Sequence, residues 1–248
     1  MKRAITFGWR WLYGAVSSCY LLTVGWLQPR HRTLLYQICE HFGYQPVRTA
    51  IPKISPQVLL DLDLPLVLHQ PLAGSGEVSE LELIVIAGLA RAARPARLFE
   101  IGTLGGRTTV NLLANAGPDA EVFTLDLVAV DSSTAPLVRL GAGQRITPLV
   151  GDSMHFDFTP YEGSIDLVFV DANHEYDYVL SDSHHAQRLI GAQGGIILWH
   201  DYGTWDWPGS THALNELYLK EPAFGQMRHV DGTTLVCLRV IGSQSGPG

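Results

Sequence analysis

Apolar positions along the 248-residue chain change period several times, and each change marks a predicted element. Ser79-Glu80-Leu81-Glu82 is a capping box, and Leu83, Ile86, Ala87 and Ala90 carry one apolar helical face toward Pro95. The pattern then shortens to compact apolar runs that predict strands at Leu98–Ile101, Glu121–Leu125, Ile146–Val150, Ile165–Val170 and Gly195–Trp199. Helical stretches separate them at Thr108–Asn115, near Ala135–Ala142 and at Tyr178–Leu189. That alternation predicts an α/β fold with a doubly wound, mostly parallel sheet. The end of the chain departs from it: His212 to Lys220 reads as a helix, and Met227–Val230, Asp231-Gly232 and Thr234–Val240 read as an antiparallel hairpin.

The first 75 residues follow other rules. Trp11 to Leu27 is an uncharged run of 17 residues rich in Trp, Tyr, Leu and Val, with Lys2, Arg3 and Arg10 before it and Arg30, His31 and Arg32 after it. That is the lower edge of a membrane span. Two readings stay open: a helix in or on a lipid interface, or one that packs on the domain or on a second subunit. Leu34, Leu35, Ile38 and Phe42 predict a helix over 31–42, ended by Gly43. Residues 44–75 carry five prolines without a sustained period, an irregular cap with a short helix at Gln57–Leu62. The expected division is an N-terminal apolar helix and cap over 1–75, the α/β domain over 76–241, and a flexible tail over 242–248.

Composition narrows the function classes. The length suits one α/β domain with an extension. A net charge of −7 gives no footprint for nucleic acid, whose binding demands clustered Lys and Arg. Cys19, Cys39 and Cys237 are odd in number, lack Cys-x-x-Cys spacing, and read as reduced, buried thiols of a cytoplasmic protein.

The chemistry concentrates where strands end. Phe99-Glu100-Ile101-Gly102-Thr103-Leu104-Gly105-Gly106-Arg107-Thr108-Thr109 runs from a buried strand through a glycine-rich turn into a helix. It departs from the dinucleotide fingerprint Gly-x-Gly-x-x-Gly, and an acid at Glu100 is a poor neighbour for a phosphate. A ligand with a cationic amino-acid end and a ribose suits it better, and S-adenosylmethionine fits that description. Asp126, Asp152, Asp171 and Asp201 also fall at strand ends, so the five acids line one rim.

With these residues, Gly151-Asp152-Ser153, Asp171-Ala-Asn-His174-Glu-Tyr176 and Gly194-Gly195-Ile-Ile-Leu-Trp-His200-Asp201-Tyr202, the chain resembles Rossmann-like class I methyltransferases over residues 76 to 240. More narrowly, it resembles the metal-dependent catechol-type and macrolide-sugar-type O-methyltransferases. The resemblance implies that Gly102 and its neighbours pass beneath the methionyl part, Asp126 holds the ribose hydroxyls and Asp152 with Ser153 addresses the adenine. Glu100, Thr103, Gly106, Thr108, Leu127, Gly151 and Asp171 complete the expected cofactor set. It also implies a divalent metal, Mg²⁺ or Mn²⁺, on Asp171, His200 and Asp201. His200 stands where a carboxylate is usual, and an imidazole shifts the preference away from Mg²⁺.

Asp171 and His174 are the expected catalytic pair. An attacking hydroxyl must lose its proton, and a histidine, with an ordinary pKa near 6.5, is suited to take it. The macrolide-sugar-type enzymes use a histidine at the position of His174. Tyr176 and Asp182 belong to the same pattern and read as structural, while His184 and His185 read as exposed. The leading expectation is an S-adenosylmethionine-dependent O-methyltransferase on a small hydroxylated acceptor: a sugar, a natural product or a lipid-linked metabolite. The alternatives are a membrane-associated binding protein with a catalytically silent cofactor fold, and a nucleotide-linked dehydrogenase, disfavoured by Glu100 and the closing hairpin. Partner expectations are the acceptor, a peripheral membrane contact or homo-oligomer, and no nucleic acid.

Overall fold

A computed structural model describes residues 2–28, 31, 34–35, 38–39, 48–60, 63–74, 77–129 and 145–242. The chain forms two compact units, Met1–Arg48 and Thr49–Gly248. The division falls after residue 48, not after residue 75. Most of the predicted helix over 31–42, the helix near Ala135–Ala142 and the tail from residue 243 lie outside the described residues.

In the first unit, α1 (Lys2–Thr23) is followed by a single 3₁₀ turn at Gly25–Leu27. Trp9, Trp11, Leu12, Tyr13, Val16 and Leu22 are all exposed along it. Among the described residues, no helix is long and apolar enough to cross a membrane. Cys19 is exposed and Cys39 half-buried, so only Cys237, in the second unit, matches the expected buried thiols.

The second unit is built on one eight-stranded sheet. Its strands are β1 (Lys53–Ile54), β2 (Arg97–Ile101), β3 (Glu121–Asp126), β4 (Ile146–Val150), β5 (Leu167–Val170), β6 (Gly194–Trp199), β7 (Arg228–Val230) and β8 (Val236–Ile241), in spatial order β1-β7-β8-β6-β5-β2-β3-β4. β8 runs antiparallel to both β6 and β7, and every other pairing is parallel. The helices are α2 (Pro56–Leu59), α3 (Glu80–Ala93), α4 (Arg107–Asn115), α5 (Tyr176–Leu189) and α6 (Pro208–Lys220).

Alternation along the central strands sorts their side chains between two apolar layers. Leu98, Leu167, Phe169, Ile196 and Leu198 pack with Leu83, Ile86 and Leu89 of α3 and Val110, Leu112 and Leu113 of α4. Phe99, Ile101, Val168, Val170, Ile197 and Trp199 pack with Val179, Ala186 and Leu189 of α5 and Leu214 and Leu217 of α6. Strand order reverses at β2, whose neighbours are β3 and β5, and this switch point opens a crevice beyond the carboxyl ends of the strands.

The segment read as an irregular cap contributes more than expected. β1 adds a two-residue parallel edge to β7, joined by His229 N–H to Pro52 O and Asp231 N–H to Ile54 O, each 2.9 Å. Farther along, Asn111 and Asn115 of α4 present their amides to the backbone of His69 and Val67, donating to one carbonyl and accepting from one N–H apiece at 2.7–2.9 Å. The buried guanidinium of Arg107 donates to the carbonyls of Gln70, Pro71 and Val78. Three side chains of one helix thus replace a strand ladder and satisfy an otherwise unpaired backbone.

Candidate functional site

A cavity of about 640 Å³ occupies the crevice. The turn after β2 forms its floor. Gly102 has φ +103°, and a Cβ there would lie 2.0 Å from the carbonyl oxygen of Asp171, so only glycine lets this turn pass the end of β5. Asp126, the last residue of β3, holds the turn: its Oδ2 accepts from the N–H groups of Thr103 (2.9 Å) and Leu104 (2.8 Å). Asp152 Oδ1 accepts from Met154 N–H, and its Oδ2 pairs with His155 and accepts weakly from Tyr178. The bond to His155, then that from Met154, holds the Asp152 carboxyl below its usual range.

Of the expected cofactor residues, Gly102, Thr103, Thr108, Asp126, Leu127, Gly151, Asp152, Ser153 and Asp171 line the cavity. Gly106 does not; it is the left-handed cap before α4, and Gly105 takes its place on the wall. Glu100 is also off the wall. It shares the strand face of Leu98 and is wholly buried beneath α4, where its Oε2 accepts from the hydroxyls of Thr109 and, at 2.6 Å, Thr124, its neighbour across the sheet. Burial, helped by the charges of Asp171 and Asp126, pushes its carboxyl up to about 8. Its link to the cavity runs through Thr124 to the hydroxyl of Thr103, 2.5 Å away.

At the opposite end Asp171, His200 and Asp201 come together, with one potential ligand atom from each lying within 4.8 Å of the others. His200 Nδ1 is 3.2 Å from Asp171 Oδ1 and 3.4 Å from Asp201 Oδ2. Its Nε2 lies 3.2 Å from Glu82 Oε2. Burial alone would lower the pKa of His200, but the charge of Asp171 and hydrogen bonds to Asp171, Asp201 and Glu82 raise it far above the usual range. Asp201 sits at φ +61°, a left-handed conformation that aspartate tolerates better than most residues and that recurs at functional sites.

His174 faces Asp201 as well, with Nδ1 3.4 Å from Asp201 Oδ2 and its ring against Trp207 at 4.4 Å between centroids. An Asx turn fixes the approach, Asn173 Oδ1 accepting from Glu175 N–H at 2.9 Å. Gly209, in the first turn of α6, permits the contact behind it, since a Cβ there would lie 2.4 Å from the His174 carbonyl oxygen.

Several contributors have no readable code in the sequence. Trp207, Asp206 and Glu77 on the wall carry no motif. Glu82 was legible as a cap, and both bonds of the capping box are present, but nothing local announces its contact with His200. His184 and His185 are half-buried, not exposed: His184 bonds Glu221 and His185 packs against Phe158. Asp182 is fully buried, with neither oxygen in a well-formed hydrogen bond among the described residues, and burial pushes its carboxyl up to about 7.

Residues 99–202, the stretch that builds the turn and the acidic rim, match a family model described as a methyltransferase domain. Over this stretch the chain is similar to methyltransferases. Part of it is 39% identical, over 89 residues, to the catechol O-methyltransferase of Mycobacterium tuberculosis, a match spanning 35% of this chain and 40% of that enzyme. The same fold recurs in the cofactor-bound Rv0187 protein from MTB, at 24% identity and a TM-score of 0.55 over 70% of this chain and 85% of that one. It recurs also in TomG from Streptomyces achromogenes, an O-methyltransferase solved in complex with SAM, at 19% identity and a TM-score of 0.54 over 73% and 93% of the two chains.

Proposed function

We propose that this chain is an S-adenosylmethionine-dependent O-methyltransferase acting on a hydroxyl of a small molecule, with metal assistance and His174 as general base. The observation that carries this reading is the meeting of His174, Asp171, His200 and Asp201 at one end of a cavity whose other end presents Asp126 and Asp152. A carboxylate at Asp126 can accept from ribose hydroxyls, and Asp152 beside Ser153 can accept from the exocyclic amine of adenine. When bound, S-adenosylmethionine supplies an electrophilic methyl group, whose bond to sulfur breaks as the bond to the acceptor oxygen forms. The proton of the hydroxyl passes to His174, held in orientation by Asp201 and Trp207.

The residues present fit a divalent ion. Asp171, His200 and Asp201 offer a clustered two-oxygen, one-nitrogen donor set. Held there, the ion would supply positive charge to the acceptor oxygen as its proton leaves. Asp171 and Asp201 also fix the imidazole of His200 and, through Asp201, that of His174. Titration calorimetry with S-adenosylmethionine and its demethylated product tests the cofactor assignment; binding of NAD in place of both would overturn it. Excess chelator should abolish methyl transfer while leaving cofactor affinity intact, and Mn²⁺ should restore it at least as well as Mg²⁺. Full turnover in chelator removes the metal from the reading.

The first unit supports a peripheral membrane contact. Its helix exposes Trp9, Trp11 and Tyr13, and the sequence has Lys2, Arg3, Arg10, Arg30 and Arg32 with no acid before Glu40, although the whole chain carries −7. Aromatic rings flanked by cations suit an anionic lipid interface.

A further inference from the structure

Glu82 does more than cap α3. Its side chain is almost fully buried, and three donors and a ring nitrogen of His200 converge on its two oxygens. Oε1 accepts from Thr234 N–H and the Thr234 hydroxyl, each 2.8 Å. Oε2 accepts from Ser79 N–H at 2.8 Å and faces His200 Nε2 at 3.2 Å. A capping box needs only the bond to Ser79, and glutamine would serve it equally well. What only a carboxylate provides is acceptors alone, on every side.

We propose that Glu82 is a positioning residue that fixes which nitrogen of His200 faces a metal ion, a role that rests on the metal-assisted reading above. An ionised carboxylate cannot donate, so the nitrogen facing it must carry hydrogen: His200 is held as Nε2–H. In a neutral imidazole of that form the lone pair is on Nδ1. Nδ1 is the nitrogen that lies 3.2 Å from Asp171 Oδ1 and 3.4 Å from Asp201 Oδ2, within the donor cluster. The bond from Nε2–H to Glu82 is the same whether Nδ1 carries a proton or a metal ion. Glu82 therefore presets the ring for coordination through Nδ1, and through Thr234 it ties that ring to the turn between β7 and β8. A carboxylate behind a metal-binding imidazole also raises the basicity of the ligating nitrogen.

The test measures Mn²⁺ affinity of the full-length chain by electron paramagnetic resonance, with binding of S-adenosylhomocysteine measured in parallel. Glu82→Gln keeps the size, but its amide NH2 must replace either Oε2, where it opposes Ser79 N–H and His200 Nε2, or Oε1, where it opposes both donors of Thr234, so the acceptor set that holds the ring is lost either way. We expect Mn²⁺ affinity to fall about 10–100-fold, the usual cost of losing such a partner, while S-adenosylhomocysteine affinity is kept. In a His200→Asp background the ligand at this position is an oxygen that needs no tautomer, so Glu82→Gln should cause no weakening there. Equal weakening in both backgrounds, or none in either, overturns the role of Glu82. Absence of Mn²⁺ binding by the unsubstituted chain overturns the metal-assisted reading itself and this role with it. Should Glu82→Gln fail to fold, nitrogen-15 NMR of the unsubstituted, Zn²⁺-loaded chain decides: Nε2–H on His200 supports the proposal and Nδ1–H overturns it.

Discussion

Replacing Glu100 with glutamine should stabilise the domain above neutral pH. The carboxyl is inaccessible to solvent, two threonine hydroxyls reach one of its oxygens, and the other has no hydrogen-bond partner among the described residues. The charges around it are those of Asp171 and Asp126, which repel an anion, so burial and repulsion together place the group at about 8, against an ordinary 4.5. Between these two values the folded chain holds a proton that the unfolded chain has released, and stability must fall as pH rises through that window. Each pH unit is about 1.4 kcal/mol, so ionising Glu100 in place costs on the order of 5 kcal/mol before relaxation. Relaxation around the new charge reduces this, and we expect about 2 kcal/mol or more to survive. Glu100→Gln keeps an acceptor for the hydroxyls of Thr109 and Thr124 and removes the titration. Asp182, held near 7 by burial, and His200 also favour the folded state at low pH, but both are common to the two proteins and cancel in the difference. Urea unfolding of both at pH 5, 6, 7, 8 and 9 measures that difference directly. The unsubstituted protein should lose stability relative to the variant, mostly between pH 5 and 8. Parallel curves across the whole range would refute the reasoning, and with it the claim that Glu100 is a protonated acid below pH 8.

Other outcomes follow from the site. His174→Ala should lower the maximal rate of methyl transfer about 100-fold or more, the common scale for a general base, and leave S-adenosylhomocysteine affinity unchanged; near-normal turnover would make the histidine structural. Asp126→Asn keeps one oxygen to hold Thr103 and Leu104 but exchanges the other for an amide, so calorimetry should find S-adenosylhomocysteine bound about tenfold more weakly; unchanged affinity would move the ribose elsewhere. The full chain should co-sediment with anionic liposomes, less so as salt rises and the reach of each charge shortens to about 8 Å or below, and Trp9→Ser with Trp11→Ser should weaken it further. Sedimentation indifferent to lipid charge and to both substitutions would rule out the membrane contact.

How far the sequence foretold these results depends on how local each cause is. The strands of the central sheet were legible to within about two residues, because strands covered on both faces must be nearly all apolar, and Leu98–Ile101 or Leu167–Val170 leave no other choice. The capping box of Ser79 and Glu82 and the Asp231-Gly232 turn are equally local, set by neighbours three residues apart or fewer. β1 was not legible, since two residues become a strand only by virtue of β7, far away in the chain. Glu100 is the more instructive miss. Its position at a strand end suggested the ligand, yet strand parity puts it on the face of Leu98, beneath the helix that follows the glycine-rich turn. Parity was available in the residues, and it outweighs proximity to the rim because a side chain cannot change faces without slipping the strand. Glu82 shows the converse. A local motif accounts for the residue in full as a cap, although a capping glutamate spends only part of its accepting capacity on the helix. The capacity left over is what reaches His200, 118 positions later in the chain. In a buried site, where each lone pair must find a donor, a motif that leaves lone pairs unassigned points to a partner not yet found.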